Sequence, residues 1–141
     1  MAEDMQKPKT PPLEVAGQTF RLTKSATFEA AHYMGTQPDG HAYRNVHGHS
    51  FRIEVTVAGQ VSPGMQWVED FACLSAALVA AAEALDHRLL NDVPGLDVPT
   101  LERLCVWVAN HLAPRVRGLE RVTLERPSLG ERCSLTVGTS A

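Results

Sequence analysis

Three histidines among the first 50 residues of the 141-residue chain are spaced so that their side chains could share one ion. His47 and His49 lie two residues apart in a stretch with the β-branched and aromatic content of a strand, so both rings leave the same face. His32 ends an earlier alternating stretch, and pairing of the two stretches would place it beside the other two. Three imidazoles with an open fourth position form the ligand set of catalytic zinc, which acts as a Lewis acid. The spacing therefore indicates a metal site.

The same histidines also have a simpler interpretation. An isolated His-x-His pair is a weak metal signal, and a single histidine on an apolar face is more often a satisfied core or surface residue. On spacing alone, both interpretations stay open.

Two further places carry side chains suited to acid and base chemistry. Asp86 and His87 follow a predicted helix, and a histidine whose tautomer is set by a carboxylate can transfer protons near neutral pH. Neighbouring residues do not normally face each other, so a surface or helix-end pair is the simpler interpretation. Glu125 lies in an apolar predicted strand, where it could accept paired hydrogen bonds from a guanidine-like edge of a heterocycle. The solvent face of an edge strand explains Glu125 equally well.

The elements that must position these residues follow from the apolar pattern. Alternation predicts strands over residues 20–32 and 47–57, and the polar loop between them, 33–46, is long enough to suggest a function. Apolar stripes predict one helix over residues 70–85, opened by Asp70, and a second helix through residue 112, capped by Thr100. A hairpin is predicted from residues 121–125 and 134–137. This β-β-α-α-β-β order predicts an α+β fold with an antiparallel sheet and helices on one face.

Composition and charge narrow the class of protein. The length fits a single domain, and we expect a flexible tail over residues 1–18 followed by one folded domain over 19–141. An apolar content of 44% with 21% charged residues is typical of soluble globular proteins. A net charge of -3 without a basic cluster argues against nucleic-acid binding. The tail lacks the apolar run of a secretory signal, and no later stretch is long enough for a membrane span, so we expect a cytoplasmic protein.

Six short motifs occur in one order along the chain: FEAAH ending at His32, HGHSF from His47, DF at 70–71, LDHRLLND from Leu85, PTLE from Pro99, and the carboxylate Glu125. Over residues 20–126 they resemble the pyruvoyl- and carboxytetrahydropterin synthases, the latter acting early in 7-deazaguanine (queuosine) biosynthesis. The resemblance implies the tunnelling fold, in which the sheets of several subunits join around a barrel. It also implies a homo-oligomer, commonly a hexamer of two stacked trimers with active sites between subunits.

The resemblance further implies a role for each candidate residue. The three histidines would bind Zn²⁺, and Asp86 and His87 would belong to the acid/base machinery. Glu125 would anchor the pterin ring of a small-molecule substrate, with Thr100 nearby. The substrate would be 7,8-dihydroneopterin triphosphate, whose side-chain hydroxyls the zinc polarises while triphosphate is expelled. A pyruvoyl side chain remains or, after loss of acetaldehyde, a carboxyl group.

The long loop departs from the family pattern. The family has a catalytic cysteine four residues before His-Gly-His in the carboxytetrahydropterin branch and six before it in the pyruvoyl branch, where this chain has Tyr43 and His41. Cys73, Cys105 and Cys133 lie far from the loop and form no CxxC motif, so we interpret them as small apolar residues. We expect His41 or Tyr43 to replace the thiol, with His41 preferred because an imidazole ordinarily titrates near pH 6.5.

Three functions therefore stay open. The residues in and around the GHSF, LDHRLLND and PGL motifs favour the carboxytetrahydropterin synthases. A lyase that cleaves the dihydroneopterin side chain to give 6-hydroxymethyl-dihydropterin is the second candidate, because altered loop residues accompany that reaction in some family members. The third candidate is a non-catalytic scaffold that keeps the zinc and binds a pterin or purine without turnover.

Overall fold

The structure, a computed structural model, describes residues 9–138. Residues 1–8 of the expected tail and residues 139–141 of the expected domain lie outside this range. The helices and strands follow in the order β1 Phe20–His32, β2 His47–Gly59, α1 Phe71–Leu85, α2 Leu101–Leu112, β3 Leu119–Arg126 and β4 Glu131–Thr136. Short 3₁₀ turns occupy Ala42–Arg44, Leu90–Asp92 and Pro127–Leu129. The predicted β-β-α-α-β-β order and α+β class are confirmed.

The four strands form one antiparallel sheet in the order β1-β2-β3-β4. Because side chains alternate along a strand, one face collects the apolar residues of all four strands. Phe28 and Phe51 stack there with ring centroids 4.9 Å apart. Both helices pack on this face, α1 against β1 and α2 against β3 and β4. The hydrophobic core therefore lies between the sheet and the helices.

The opposite face of the sheet is polar and is covered by no helix among residues 9–138. Thr23 and Thr56 hydrogen-bond across β1 and β2 at 3.0 Å, and Thr123 and Ser134 across β3 and β4 at 2.8 Å. Burying a layer of hydroxyls without partners would be costly, so these cross-strand pairs satisfy one another. The sheet thus has one face built for a core and one built for polar surroundings.

Both helices begin at side-chain caps, as predicted. The Asp70 carboxylate accepts a hydrogen bond from the N–H of Ala72, and the Thr100 hydroxyl accepts one from the N–H of Arg103. Neither helix of the described part of the chain is long and apolar enough to cross a membrane.

The strand bounds differ from the predictions mainly in the last hairpin. β3 runs from Leu119 to Arg126, and β4 starts at Glu131. β4 starts earlier than predicted because the ladder continues to the pair Arg126 and Glu131 next to the turn. Gly130 closes this turn with a φ of 65°, a left-handed backbone that glycine adopts without strain. The hairpin is therefore tighter than the sequence pattern indicates.

Candidate metal centre

The strand register brings the three histidines together at one end of the sheet. His32 pairs with His47 across β1 and β2, and Ala30 pairs with His49. The three rings lie on the same side as Phe28 and Phe51, the helix-covered side. The prediction that pairing would place His32 beside the other two histidines is confirmed.

The geometry of the three rings suits a metal ion. The Nε2 atoms of His32 and His47 are 3.0 Å apart, and one nitrogen from each of the three histidines lies within 4.8 Å of the others. Two ligands of a tetrahedral ion are about 3.3 Å apart when each bond is about 2.0–2.1 Å long. The Nε2 atom of His49 is buried and meets no hydrogen-bond partner in the described residues. A metal would supply the partner that this atom lacks.

Backbone carbonyls fix the orientation of two of the rings. Nδ1 of His32 lies 3.2 Å from the carbonyl oxygen of Pro99, and Nδ1 of His47 lies 2.8 Å from that of Asn45. Both contacts place the proton on Nδ1 and leave the Nε2 lone pair for a metal, the usual arrangement for a ligating histidine.

Burial favours the neutral form of two of the imidazoles, those of His32 and His49. His32 is 2% exposed, and this burial lowers its pKa to about 4. Burial also lowers the pKa of His49, with a further contribution from the charge of Arg126. Metal binding requires unprotonated imidazole, so these two ligands are ready at neutral pH.

A cavity of about 420 Å³, here called the histidine cavity, opens in front of the three rings. Its wall contains side chains able to donate, accept or carry charge beside the histidines. They include Tyr43, Thr100, Glu102, Arg126 and Glu131. A metal in this position would face a pocket large enough for a small heterocycle.

Tyr43 and His41 occupy different positions in the loop. The Tyr43 ring lines the histidine cavity, with its centroid 5.8 Å from that of His47. The His41 ring stacks edge-on against Tyr43 at 4.8 Å, and its Nδ1 accepts a hydrogen bond from the N–H of Tyr43. His41 therefore acts as the cap of the 3₁₀ turn, one residue layer behind the cavity wall.

Asp86 and His87 face each other, against the expectation for neighbouring residues. His87 Nδ1 lies 2.8 Å from Asp86 Oδ2. The reason is the backbone of His87, whose φ of 57° is left-handed and turns its ring back toward residue 86. The other oxygen, Asp86 Oδ1, accepts from the N–H of Glu29 at the edge of β1. This backbone hydrogen bond, followed by the one from His87, lowers the pKa of Asp86.

The Asp86 and His87 pair does not lie in the histidine cavity. His87 lines a second, more open cavity of about 590 Å³ together with Glu29 and Ser50, whose hydroxyl donates to the Glu29 carboxylate at 2.7 Å. His49 lines both cavities. Within one chain the pair therefore lies outside the histidine cavity, and His87 meets the triad only through His49 in the second cavity.

Glu125 also lies outside the histidine cavity. It follows Leu124, which points into the core, so its carboxylate is on the uncovered face of the sheet, 4.0 Å from Arg132. β3 is an inner strand of the sheet, so the interpretation of Glu125 as an edge-strand residue is wrong. Thr100, in contrast, does line the cavity while capping α2.

Two cavity residues, Arg126 and Glu131, escaped the sequence analysis. They pair across the β3-β4 hairpin on the helix-covered side, with Arg126 Nη2 2.9 Å from Glu131 Oε2. The alternation Val122, Leu124, Arg126 was the signal that could have found the arginine, because it places all three on one face.

The cysteines of residues 9–138 stay away from the histidine cavity. Cys105 is buried in the core, and burial raises its pKa to about 12, so it carries no thiolate at neutral pH. Cys133 is half-buried on β4 behind it. Cys73 is exposed on α1.

Comparison with known proteins agrees with this fold. Residues 21–138 match the family described as 6-pyruvoyl tetrahydropterin synthase. The chain is 33% identical over 111 residues to a dihydroneopterin monophosphate aldolase of Pyrococcus furiosus, covering 79% of this chain and 89% of the relative. It is 40% identical over 94 residues to a 6-carboxy-5,6,7,8-tetrahydropterin synthase of Synechocystis, covering 62% and 70%.

A solved structure supports the fold independently. The 6-pyruvoyl tetrahydropterin synthase of Caenorhabditis elegans superposes with a TM-score of 0.74 at 21% identity, covering 86% of this chain and 97% of that chain. The sheet, the two helices and the cluster of three histidines that could hold a metal ion thus occur together in one fold of this type. The chain belongs to the 6-pyruvoyl tetrahydropterin synthase family.

Proposed function

We propose that this protein is a zinc-dependent lyase that cleaves the side chain of a phosphorylated 7,8-dihydroneopterin. The observation that carries the proposal is the composition of the histidine cavity. Its wall combines three convergent histidines with the phenol of Tyr43, and no cysteine of residues 9–138 lines it. A synthase reaction that depends on a loop thiol lacks its thiol here, whereas the aldolase from Pyrococcus furiosus provides a relative named for a different reaction.

The reaction breaks one carbon–carbon bond and needs no second reactant. The proton leaves the hydroxyl on the second side-chain carbon, and that carbon becomes the aldehyde of glycolaldehyde phosphate. The bonding electrons pass to the first side-chain carbon and into the dihydropterin ring. A proton then returns to the first carbon, which gives 6-hydroxymethyl-7,8-dihydropterin. The protein must therefore hold the diol, accept one proton and return one.

The residues of the chain fit these tasks. His32, His47 and His49 would hold the zinc, which when bound polarises a hydroxyl of the diol as a Lewis acid. Tyr43 lies on the cavity wall beside His47, where a phenol can exchange a proton with the substrate. His41 would hold the Tyr43 backbone in place through its hydrogen bond to the N–H.

Asp86 and His87 would supply the second proton transfer. Their 2.8 Å contact sets the tautomer of His87 with Nδ1 protonated, which leaves Nε2 free to accept or return a proton. The pair opens to the neighbouring cavity, so it would act across the wall formed by His49 or on the site of an adjoining subunit.

A carboxylate for the pterin ring is available in the histidine cavity. Glu131 lines the cavity and keeps one oxygen free of the ion pair with Arg126, so it could accept from the 2-amino-pyrimidinone edge. Glu125 could serve this purpose only for a ligand on the uncovered face of the sheet. In an oligomer that encloses this face, Glu125 would reach a site shared between chains.

A homo-oligomer, most simply a hexamer built from two trimers, would cover the surfaces that one chain leaves open. β1 and β4 are edge strands of the sheet, and the polar face carries no covering element. Open edges are closed in proteins by pairing with another chain or by covering elements. Light scattering should report a species well above 15.3 kDa. A stable monomer at micromolar concentration would argue against a shared site.

The second candidate is formation of 6-carboxytetrahydropterin from the triphosphate and one water molecule, with release of acetaldehyde and triphosphate. The 40% identity to the Synechocystis synthase favours it. For this reaction Tyr43 would have to do the work of the family cysteine, since it occupies the corresponding loop position.

Product analysis separates the candidates. Zinc-loaded protein is incubated with 7,8-dihydroneopterin, its monophosphate and its triphosphate, and the pterins are identified by mass spectrometry. We expect 6-hydroxymethyl-7,8-dihydropterin from the monophosphate. 6-Carboxytetrahydropterin from the triphosphate would instead establish the synthase. If no compound is consumed, the non-catalytic scaffold becomes the better account.

A further inference from the structure

Arg126 is the one lysine or arginine of residues 9–138 whose side chain lines the histidine cavity. It is the last residue of β3 and shares its face with Val122 and Leu124, both fully buried. The strand therefore delivers a guanidinium to the same end of the sheet as the three histidines. None of the proposed catalytic steps uses this charge.

The bonding of Arg126 is incomplete. Its Nη2 atom pairs with Glu131 Oε2 at 2.9 Å, and the side chain is 21% exposed. Its Nε atom is buried and meets no acceptor among the described residues. A guanidinium offers five N–H donors in a fixed plane, so one carboxylate leaves most of them unused. Glu131 fixes the orientation of the group while the remaining donors stay available to a ligand.

The charges of the metal-loaded cavity favour an anionic ligand. A divalent ion held by neutral imidazoles contributes two positive charges, and Arg126 contributes a third. Glu102 and Glu131 are the carboxylates on the wall, and they do not neutralise this total. Two cations in one small cavity repel each other unless an anion lies between or beside them. The cavity thus attracts negative charge.

We propose that Arg126 binds the phosphate on the substrate side chain and makes the protein select phosphorylated pterins. This inference rests on the proposed function, because it assigns the residue that recognises the phosphate in that same site. The planar guanidinium matches two phosphate oxygens, and a charge-assisted pair of this kind is stronger than a neutral hydrogen bond.

Binding of the oxidised compounds neopterin and neopterin monophosphate tests the proposal without turnover, because an oxidised ring would lose its aromaticity if it accepted the electrons of the cleaved bond. Zinc-loaded wild type, Arg126→Gln, Arg126→Lys and Arg121→Gln are titrated by pterin fluorescence. Arg121 lies on the same strand and faces the uncovered side, so its replacement removes an equal charge outside the cavity. Zinc content is measured for each variant as a control for the metal site.

We expect Arg126→Gln to bind neopterin monophosphate about ten- to a hundredfold more weakly and neopterin within about threefold of wild type. Arg126→Lys should lose part of the preference for the phosphate, and Arg121→Gln none. Equal loss for both ligands, or no loss, would overturn the assignment. If the Arg126-dependent preference persists in a protein that cleaves no dihydroneopterin compound, the proposed reaction is wrong and the phosphate assignment stands.

Discussion

The histidine triad lies between sheet and helices, with His32 buried and His47 and His49 half-buried, whereas Asp86 and His87 lie beyond the edge of β1 with their side chains 40% and 80% exposed. The triad is held by the register of two 13-residue strands. The pair is held by a left-handed turn and by two hydrogen bonds to the strand edge, one from the Glu29 N–H to Asp86 Oδ1 and one from the His87 N–H to the Glu29 carbonyl oxygen. Rigid, buried nitrogens suit a ligand set, and solvated groups suit proton exchange. The two groups of titratable residues therefore divide the chemistry between them.

This division predicts that the exposed pair can be destroyed without harm to the metal site. Asp86→Ala removes the acceptor for both the Glu29 N–H and His87 Nδ1. We expect turnover to fall about a hundredfold or more, since a positioned acid/base group contributes at least that much. Zinc content should stay at the wild-type level. Asp92→Ala, in the nearby 3₁₀ turn, is the matched control, and loss of zinc from Asp86→Ala would contradict the division.

Substitutions of Tyr43 and His41 test which loop residue beside the triad takes part in proton transfer. Tyr43→Phe keeps the ring on the cavity wall and removes only the hydroxyl, so we expect a loss of about a hundredfold in rate. His41→Ala removes a turn cap, worth about 1 kcal/mol, and should act mainly on stability. Single-turnover rates and thermal unfolding measure the two effects. Tyr43→Cys should increase any 6-carboxytetrahydropterin formed.

The opposite ranking would restore the sequence-based preference for His41. In that case His41→Ala would abolish turnover while Tyr43→Phe would leave it intact. If both variants remain active and Cys73→Ala or Cys133→Ala is inactive, a distant cysteine has replaced the loop residue.

Acid should lower the stability of the metal-free protein, because His32 of the triad is buried. His32 has a native pKa of about 4, below the ordinary value of 6.5. Between these values the unfolded chain binds more protons than the native chain, so stability falls as pH decreases from about 6.5 to about 4. Over this whole pH range the free energy of unfolding should fall by about 3 kcal/mol. Urea unfolding across this range should show the slope, and His32→Asn should flatten it.

The smallest effects concern the carboxylates that could bind the pterin ring. Glu131→Gln should weaken neopterin binding by about tenfold, because Glu131 lines the histidine cavity. Glu125→Gln should have less effect, because its carboxylate faces the other side of the sheet. If Glu125→Gln is the more damaging change, the pterin lies in a site shared between subunits, and the prediction made for Glu125 from the sequence is the better one.

Features that follow from the two-residue alternation of side chains along a strand were predictable from the sequence. Side chains alternate along strands, so the spacing of His47 and His49, with the end of β1 at His32, already placed three rings on one face. The same rule assigns Arg126 to the histidine cavity and Glu125 to the opposite face of the sheet. The period was informative there too, once Val122 and Leu124 were taken as the core positions.

The geometry of Asp86 and His87 was not predictable in this way. Their contact depends on a positive φ at His87, a conformation that is uncommon for residues other than glycine. No local sequence pattern predicts this conformation at His87. It is fixed by tertiary contacts, namely the hydrogen bonds from the turn to the edge of β1. Sequence alone therefore gave these residues only as a candidate pair.

Metal stoichiometry tests directly whether the three histidines bind one zinc ion per chain. Purified wild type, the His47→Ala/His49→Ala double variant and His111→Ala are compared by native mass spectrometry after equilibration with zinc. His111 stacks on Trp107 at the outer side of α2 and is the matched control. We expect one zinc ion per chain in wild type and His111→Ala, and none in the double variant. Near-full zinc occupancy in the double variant would contradict it.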